Sequence, residues 1–403
     1  MGRSRLPLAV VVAVAAAAVA TFLLRPRSGL IDPAPVEIQH YFTTQELDRA
    51  EDFRGLQRVL GLAGLGIGIG TLAVLAWRPP RGMLRRLERR PLLGGGAAAA
   101  GISLLLVVTG LPVRAWMRER SLDVGLATQS WPDWASDVAK STGIGAVTAA
   151  IGGIVAVALI RRFPRHWWAP GAVLVVAYGV VTIWLYPIVV DPVFNDFERL
   201  PDGRLRSEVL ELADRAGVDV GEVYRVDASR RTTAANAYVI GLGHTKRVVI
   251  YDNLIDDFPP GEVRVVVAHE LGHQRHDDLL RGLAWLAIVA PAGTFLAQAL
   301  SERFARRQPL GTPAALPAIA LAIALVGLGF GCASNALSRQ VEGRADSFAL
   351  ELTGDPEDFI AFERRITLQN VADPDPPELL HLLFDTHPTT VERIGYGEAL
   401  RDK

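Results

Sequence analysis

Seven apolar runs alternate with polar segments along the chain, at residues 6–24, 55–77, 92–113, 141–160, 167–190, 283–300 and 313–332. A helix needs about 20 residues to cross a bilayer, so each run predicts a membrane-spanning helix. Residues 6–24 read as an uncleaved first span rather than a removed signal, because the run has spanning length and more spans follow. The second run carries Gly61, Gly64, Gly66, Gly68 and Gly70, small residues that suit close helix contacts. Residues 114–140 hold Trp116, Trp131 and Trp134 and read as an interfacial loop.

Polar segments follow a different pattern. Thr43, Thr44 and Glu46 form a helix-start signal ahead of the second run. From residue 191 the chain predicts an amphipathic helix over 205–216 and short strands over 223–227, 237–240 and 247–251. Gly241, Gly243 and His244 supply the turn between the last two strands. Pro259-Pro260-Gly261 then opens a helix over 262–278, since proline suits a first turn. Residues 333–403 are polar and mainly helical, broken near 373–377. The water-facing portions on either side of the last two spans are long enough for one modest core. This divides the chain into an N-terminal membrane domain, 1–190, and a domain at 191–403 that includes two further spans (283–300 and 313–332).

Composition narrows the class. Half of the 403 residues are hydrophobic and the formal net charge is −1, so nothing points to nucleic acid as a partner. Cys332 is the one cysteine, which excludes an internal disulfide. Arginines gather in residues 1–5, 78–90, 161–166 and 302–308, the segments that the positive-inside rule places in the cytoplasm.

Candidate chemistry centres on His269-Glu270-Leu271-Gly272-His273, an HExxH sequence. Two histidines four apart lie on one helix face and can share one Zn²⁺. Glu270 adjoins the first histidine and is placed to act as general base on a water. Asp277 and Asp278 mark this end of the helix as solvated. A metzincin would continue to a glycine at 276 and a histidine at 279; the chain has His276 and Leu279, so that class is excluded. The other way to complete a zinc site is a carboxylate on a later helix. Asn335, Arg339, Glu342 and Asp346 recur at helical spacing. A solvated stripe has the same spacing, but the HExxH upstream makes Glu342 the leading third ligand. Asp346, one turn on, could accept a hydrogen bond from a ligating imidazole, and Arg339 could orient a carboxylate.

Together these residues resemble the type I CAAX prenyl endopeptidases, membrane-embedded gluzincin zinc proteases with HtpX-like relatives. The resemblance also rests on Tyr186-Pro187, Phe194-Asn195, Asp227 with Ser229-Arg230-Arg231, and Ala235-Asn236-Ala237-Tyr238. It continues through Lys246-Arg247, Asp252, Ser338-Arg339, and His387-Pro388 with Glu392-Arg393-Ile394. It implies one Zn²⁺ per chain held by His269, His273 and Glu342, with Glu270 activating water and Asp346 behind the ligands. It further implies that the strand Asn236-Ala237-Tyr238 pairs with the substrate backbone, and that His387 and Arg393 lie near the cleft and stabilise an oxyanion. Gln274 departs from the family, which often has an aromatic there, and His276 is an extra imidazole expected at the surface.

The fold expected is therefore mainly α: a polytopic membrane protein with about seven transmembrane helices and a zincin-like α+β metalloprotease domain split by the last two spans. The function expected is an integral-membrane zinc metalloendopeptidase acting on a peptide or protein substrate, lipidated or membrane-associated. An HtpX-like quality-control protease and a metal-binding transporter or scaffold are the alternatives. The resemblance implies a site facing the cytoplasm, whereas the arginine distribution puts it on the opposite side.

Overall fold

The computed structural model describes residues 5–80, 82, 86–241, 246–306 and 308–401; Gly243 and His244, assigned to a turn from sequence, lie outside them. Helices α1 (Arg5–Leu24), α2 (Thr44–Trp77), α3 (Pro91–Asp123), α4 (Trp131–Arg162) and α5 (Trp168–Leu185) come first. A π-turn, Tyr186–Val190, joins α5 to the short α6 (Asp191–Phe194). There follow β1 (Phe197–Arg199), α7 (Arg204–Arg215), β2 (Glu222–Val226), β3 (Ala237–Ile240), β4 (Arg247–Tyr251) and α8 (Asp252–Asp257). The chain ends with α9 (Pro260–Arg275), α10 (Asp278–Phe304), α11 (Leu316–Thr353), α12 (Pro356–Gln369), α13 (Glu378–Phe384) and α14 (Thr390–Arg401). Seven of these helices, α1–α5, α10 and α11, are long and apolar enough to cross a membrane. The fold is thus mainly helical with one small sheet.

Local signals explain the starts of the elements. Thr43 caps α2, its hydroxyl taking the Glu46 N–H while Glu46 reaches back to the Thr43 N–H, a reciprocal capping box. Pro260 opens α9, as expected of proline in a first turn. The lengths differ from the sequence reading wherever a span continues into a polar stretch. Helix α2 begins eleven residues before the second apolar run, because its polar first turns pack on the extramembrane part: Arg54 Nε donates to the Val371 carbonyl at 2.7 Å. The segment read as an interfacial loop is mostly helix, with Arg118 lying over the edge-to-face pair Trp131–Trp134. Helix α11 runs unbroken from the last span into the polar region.

The sheet has the order β1-β2-β4-β3, with β2 and β4 parallel and the outer pairs antiparallel. Strand β3 is an edge. Tyr251 donates to the Asn236 carbonyl, so residues 236, 238 and 240 bond toward β4. Antiparallel pairing alternates, so Ala237 and Val239 turn their backbone groups to the open side. The sheet packs on α9 through Val223, Val248, Ile250, Val267 and Leu271, all 0% exposed. Helix α9 in turn crosses α11 at Gly272, where a Cβ would meet Phe348 Cδ1 at 3.0 Å. Leu271 and Gly272 therefore place the two helices side by side, and the metal-candidate side chains face each other across that crossing.

The helix carrying HExxH ends at Arg275, three residues short of the expected 278. Asp277 adopts φ 52°, in the left-handed region, and turns the chain straight into the membrane helix α10. With α5, α10 and α11 passing through the bilayer in alternate directions, the sheet, α9 and α12–α14 share one membrane side with the loop before α2.

Candidate metal centre and peptide cleft

His269 and His273 come from the buried crossing face of α9, and Glu342 from the facing turn of α11. Their ligand atoms lie within 4.8 Å of one another. The His269 and His273 Nε2 atoms are 3.1 Å apart, and Glu342 Oε2 is 3.2 and 3.6 Å from them. Around a tetrahedral Zn²⁺ with bonds near 2.0–2.1 Å, donor atoms sit about 3.3 Å apart, so the three form one face of such a tetrahedron. Glu342 Oε2 is buried and, among the described residues, makes no well-aligned hydrogen bond although imidazole nitrogens crowd it, which suits an oxygen that shares a cation with them.

The other imidazole nitrogens are also committed. His269 Nδ1 lies 2.7 Å from Asp346 Oδ1, and His273 Nδ1 lies 3.1 Å from Asp278 Oδ2. Each carboxylate fixes its ring as the Nδ1–H tautomer and leaves Nε2 for the metal. Burial opposes charge on both rings, yet Asp346 and Glu342 raise the pKa of His269 well above its ordinary value. Asp278 and Glu342 likewise raise that of His273 to about 9. The three carboxylates make a centre that draws positive charge, for which a metal and protons compete.

Asp346 is 0% exposed and is gripped by Arg393, Nε to Oδ2 at 2.8 Å and Nη2 to Oδ1 at 2.6 Å. Arg393 gives Nη1 to Glu363 at 2.9 Å. Expected at the substrate, Arg393 instead has its donors on these two carboxylates. His387 does reach the centre, its Nε2 3.2 Å from Glu342 Oε2. Glu270 lines the main cleft, and burial pushes its carboxyl up from the ordinary range while the two imidazoles pull it down.

The cleft, about 1310 Å³, runs between the β3 edge, α9, Val341 and Glu342 of α11, and the end of α5 with its π-turn. Trp184, Tyr186 and Ile188 give it an exposed apolar wall. The Tyr238 hydroxyl donates to Asp191 at 3.1 Å, tying the edge strand to the end of the fifth span. Asn195 also holds Asp191, at 2.6 Å, and Arg231 holds Asn195 at 2.6 Å. Asn236 turns its side-chain oxygen onto the Ala237 N–H at 2.9 Å. Gln274 donates to the Val239 carbonyl at 3.2 Å. Two of the outward-facing backbone groups of β3 thus already carry side-chain partners.

Two side chains sit elsewhere than expected. Arg339 orients no carboxylate: it donates to the carbonyls of His381, Leu382 and Asp385 and caps α13. His276 folds back onto the Gly272 carbonyl at 2.9 Å, beside the Phe348 ring, half-buried rather than free at the surface. Sequence reasoning missed Asp278. Its side chain is 8% exposed and takes hydrogen bonds from Arg281 and Arg344, the latter also nearly buried. The turn at Asp277 alone swings it back to His273, and spacing carries no sign of that.

A membrane-spanning scaffold with a His/His/Glu cluster beside a large cleft is the architecture of a membrane-embedded metal-dependent hydrolase. Residues 199–400 match peptidase family M48, and residues 81–196 match the CAAX prenyl protease N-terminal region of five membrane helices. The uncharacterized metalloprotease YhfN of Bacillus subtilis is 31% identical over 74% of this chain and 71% of its own length. CAAX prenyl protease 1 of Saccharomyces cerevisiae is 30% identical, over 40% of this chain and 35% of its own length. The crystal structure of S. mikatae Ste24p superposes with a TM-score of 0.75 at 19% identity, covering 98% of this chain and 99% of that one, which extends the fold likeness to the whole chain. The chain belongs to peptidase family M48 and is a membrane metalloprotease of the CAAX prenyl protease type.

Proposed function

We propose that this metalloprotease is a gluzincin endopeptidase with one Zn²⁺ held by His269, His273 and Glu342. The observation that carries this reading is the buried Glu342 Oε2 set 3.2 and 3.6 Å from two Nε2 atoms whose rings are held from behind. Zn²⁺ bound there supplies Lewis acidity toward a carbonyl and acidifies water. Glu270, with its raised proton affinity, takes the proton from the attacking water and hands it to the leaving amine. Asp346 and Asp278 hold the two imidazoles in register. His387 stabilises the developing oxyanion. The substrate backbone adds to the open edge of the strand that carries Asn236, Ala237 and Tyr238, through the outward-facing groups of Ala237 and Val239, displacing their side-chain partners.

The apolar wall of Trp184, Tyr186 and Ile188 favours a substrate that brings an apolar or lipid group into the cleft from the membrane. The test is to purify the protein in detergent, measure bound zinc, and offer prenylated and unprenylated forms of one peptide. Glu270→Gln is expected to keep its zinc and to lose cleavage by at least a hundredfold. Cleavage at the wild-type rate by that variant refutes the general-base role.

A further inference from the structure

Behind the metal centre, charged side chains run in a line that ends on a residue with no sequence motif. Glu363, on α12, is 1% exposed. One of its oxygens takes Arg393 Nη1 at 2.9 Å, while Oε1 is buried without a partner among the described residues. Arg393 passes Nε and Nη2 to the two oxygens of Asp346, and Asp346 accepts from His269 Nδ1 at 2.7 Å. Beside Glu363 lies a cavity of about 140 Å³ lined also by Arg393, His387, Glu270 and His269. At ~30 Å³ per molecule it has room for about four waters, enough to satisfy the open oxygen.

A guanidinium is a rigid planar fork, and fixing one edge fixes the other. Arg393 holds Asp346 through its Nε/Nη2 edge, and Glu363 meets the remaining nitrogen from another helix. With that contact, the plane cannot swing without breaking a buried hydrogen bond. Without it, Arg393 keeps its two hydrogen bonds to Asp346 but leaves Nη1 buried and unpaired, so the guanidinium tilts toward another acceptor and the brace that keeps Asp346 on His269 weakens. We propose that Glu363 is a positioning residue for the metal centre: it locks Arg393, so that Asp346 stays on His269 Nδ1 and Nε2 stays aimed at the metal. The role requires an acceptor at this position and rests on the zinc reading above only for its metal readout.

The test uses the full chain in detergent, with zinc affinity measured by chelator competition. Glu363→Leu, similar in volume and without an acceptor, is expected to weaken zinc at least tenfold, the range seen when groups behind metal ligands are removed. Glu363→Gln, which keeps an acceptor for Nη1, is expected to stay within about threefold of wild type. Should the leucine variant not fold, Glu363→Met, unbranched and without an oxygen acceptor, takes its place with the same expected loss. Thermal unfolding of the metal-free proteins separates general weakening from the specific role: a lowered midpoint with unchanged zinc affinity overturns the proposal. A ¹⁵N-histidine spectrum of metal-free protein reads the same contact without zinc. The His269 Nδ1–H signal, hydrogen-bonded in wild type, is expected to shift in Glu363→Leu and persist in Glu363→Gln, and an unshifted signal overturns the proposal. Absence of zinc from wild type counts against the zinc reading alone, because the histidine spectrum still decides on Glu363.

Discussion

Replacing Asp278 by asparagine separates a solvated helix end from a working part of the metal centre. The Asp278 carboxylate is 8% exposed and serves three groups: His273 Nδ1 at 3.1 Å, Arg281 Nε at 3.2 Å, and Arg344, itself 7% exposed. Asparagine keeps one acceptor but removes the charge that compensates Arg344. Breaking a buried ion pair costs about 3–5 kcal/mol, and the retained acceptor argues for the lower end, about 3 kcal/mol of stability. The metal effect is separate. Groups behind a ligating histidine contribute about 10–100-fold in affinity. Asp278→Asn should therefore weaken zinc by that factor and shrink the zinc-induced rise in unfolding temperature, which scales with the logarithm of affinity. The assays are chelator competition and thermal unfolding with and without zinc. Asp277→Asn is the control: its side chain is exposed and its φ of 52° suits asparagine, so it should change stability by under about 0.5 kcal/mol. Wild-type zinc affinity in Asp278→Asn would falsify the role given to this carboxylate.

Three further predictions follow from the same geometry. Glu342→Ala should lose its zinc by metal analysis, and full retention would transfer the third ligand to another residue. Zinc affinity should depend on pH. His273 is raised to about 9, so below that pH the metal-free ring is protonated and zinc must displace the proton. Affinity should then fall by up to about tenfold for each unit of acidification below pH 9, more if His269 also releases a proton; a flat profile between pH 6 and 9 refutes the competition. Gln274→Leu should free the Val239 carbonyl for a substrate N–H and lower KM several-fold with little change in kcat; an unchanged KM places the substrate away from that edge.

Periodicity and motif spacing carried the spans, the HExxH helix, and the pairing of Glu342 with Asp346 one turn later. These are local properties, and a continuous run of apolar residues or an i, i+4 pair reads the same before and after folding. The features missed are those that need a second element. Nothing around Glu363 differs from an ordinary amphipathic helix, and only the meeting of α12 with α14 makes it the partner of Arg393. The edge position of β3 likewise depends on the strand order, in which β4 crosses to lie beside β2. Asp278 was misread for a sharper reason. A charge after a helix usually means water, but one residue in the left-handed conformation reverses the chain there. Arg339 shows the opposite error: its spacing put it on the polar face, and the carbonyls at the end of α13 outcompeted any carboxylate.

The three proposed metal donors come from two helices that each adjoin or continue a membrane span. His273 is separated from α10 by a tight link ending in Asp277, and Glu342 lies ten residues beyond Cys332 on an unbroken helix, about 15 Å along its axis. The distance of the proposed centre from the spans is then set by helix rise and one two-residue link rather than by a long loop. A scissile bond must then be presented at that distance, so a substrate anchored in the bilayer is measured by its distance from the anchor as well as read by its side chains. For such a substrate, chain length between the anchor and the cut would become a quantity that this architecture reads.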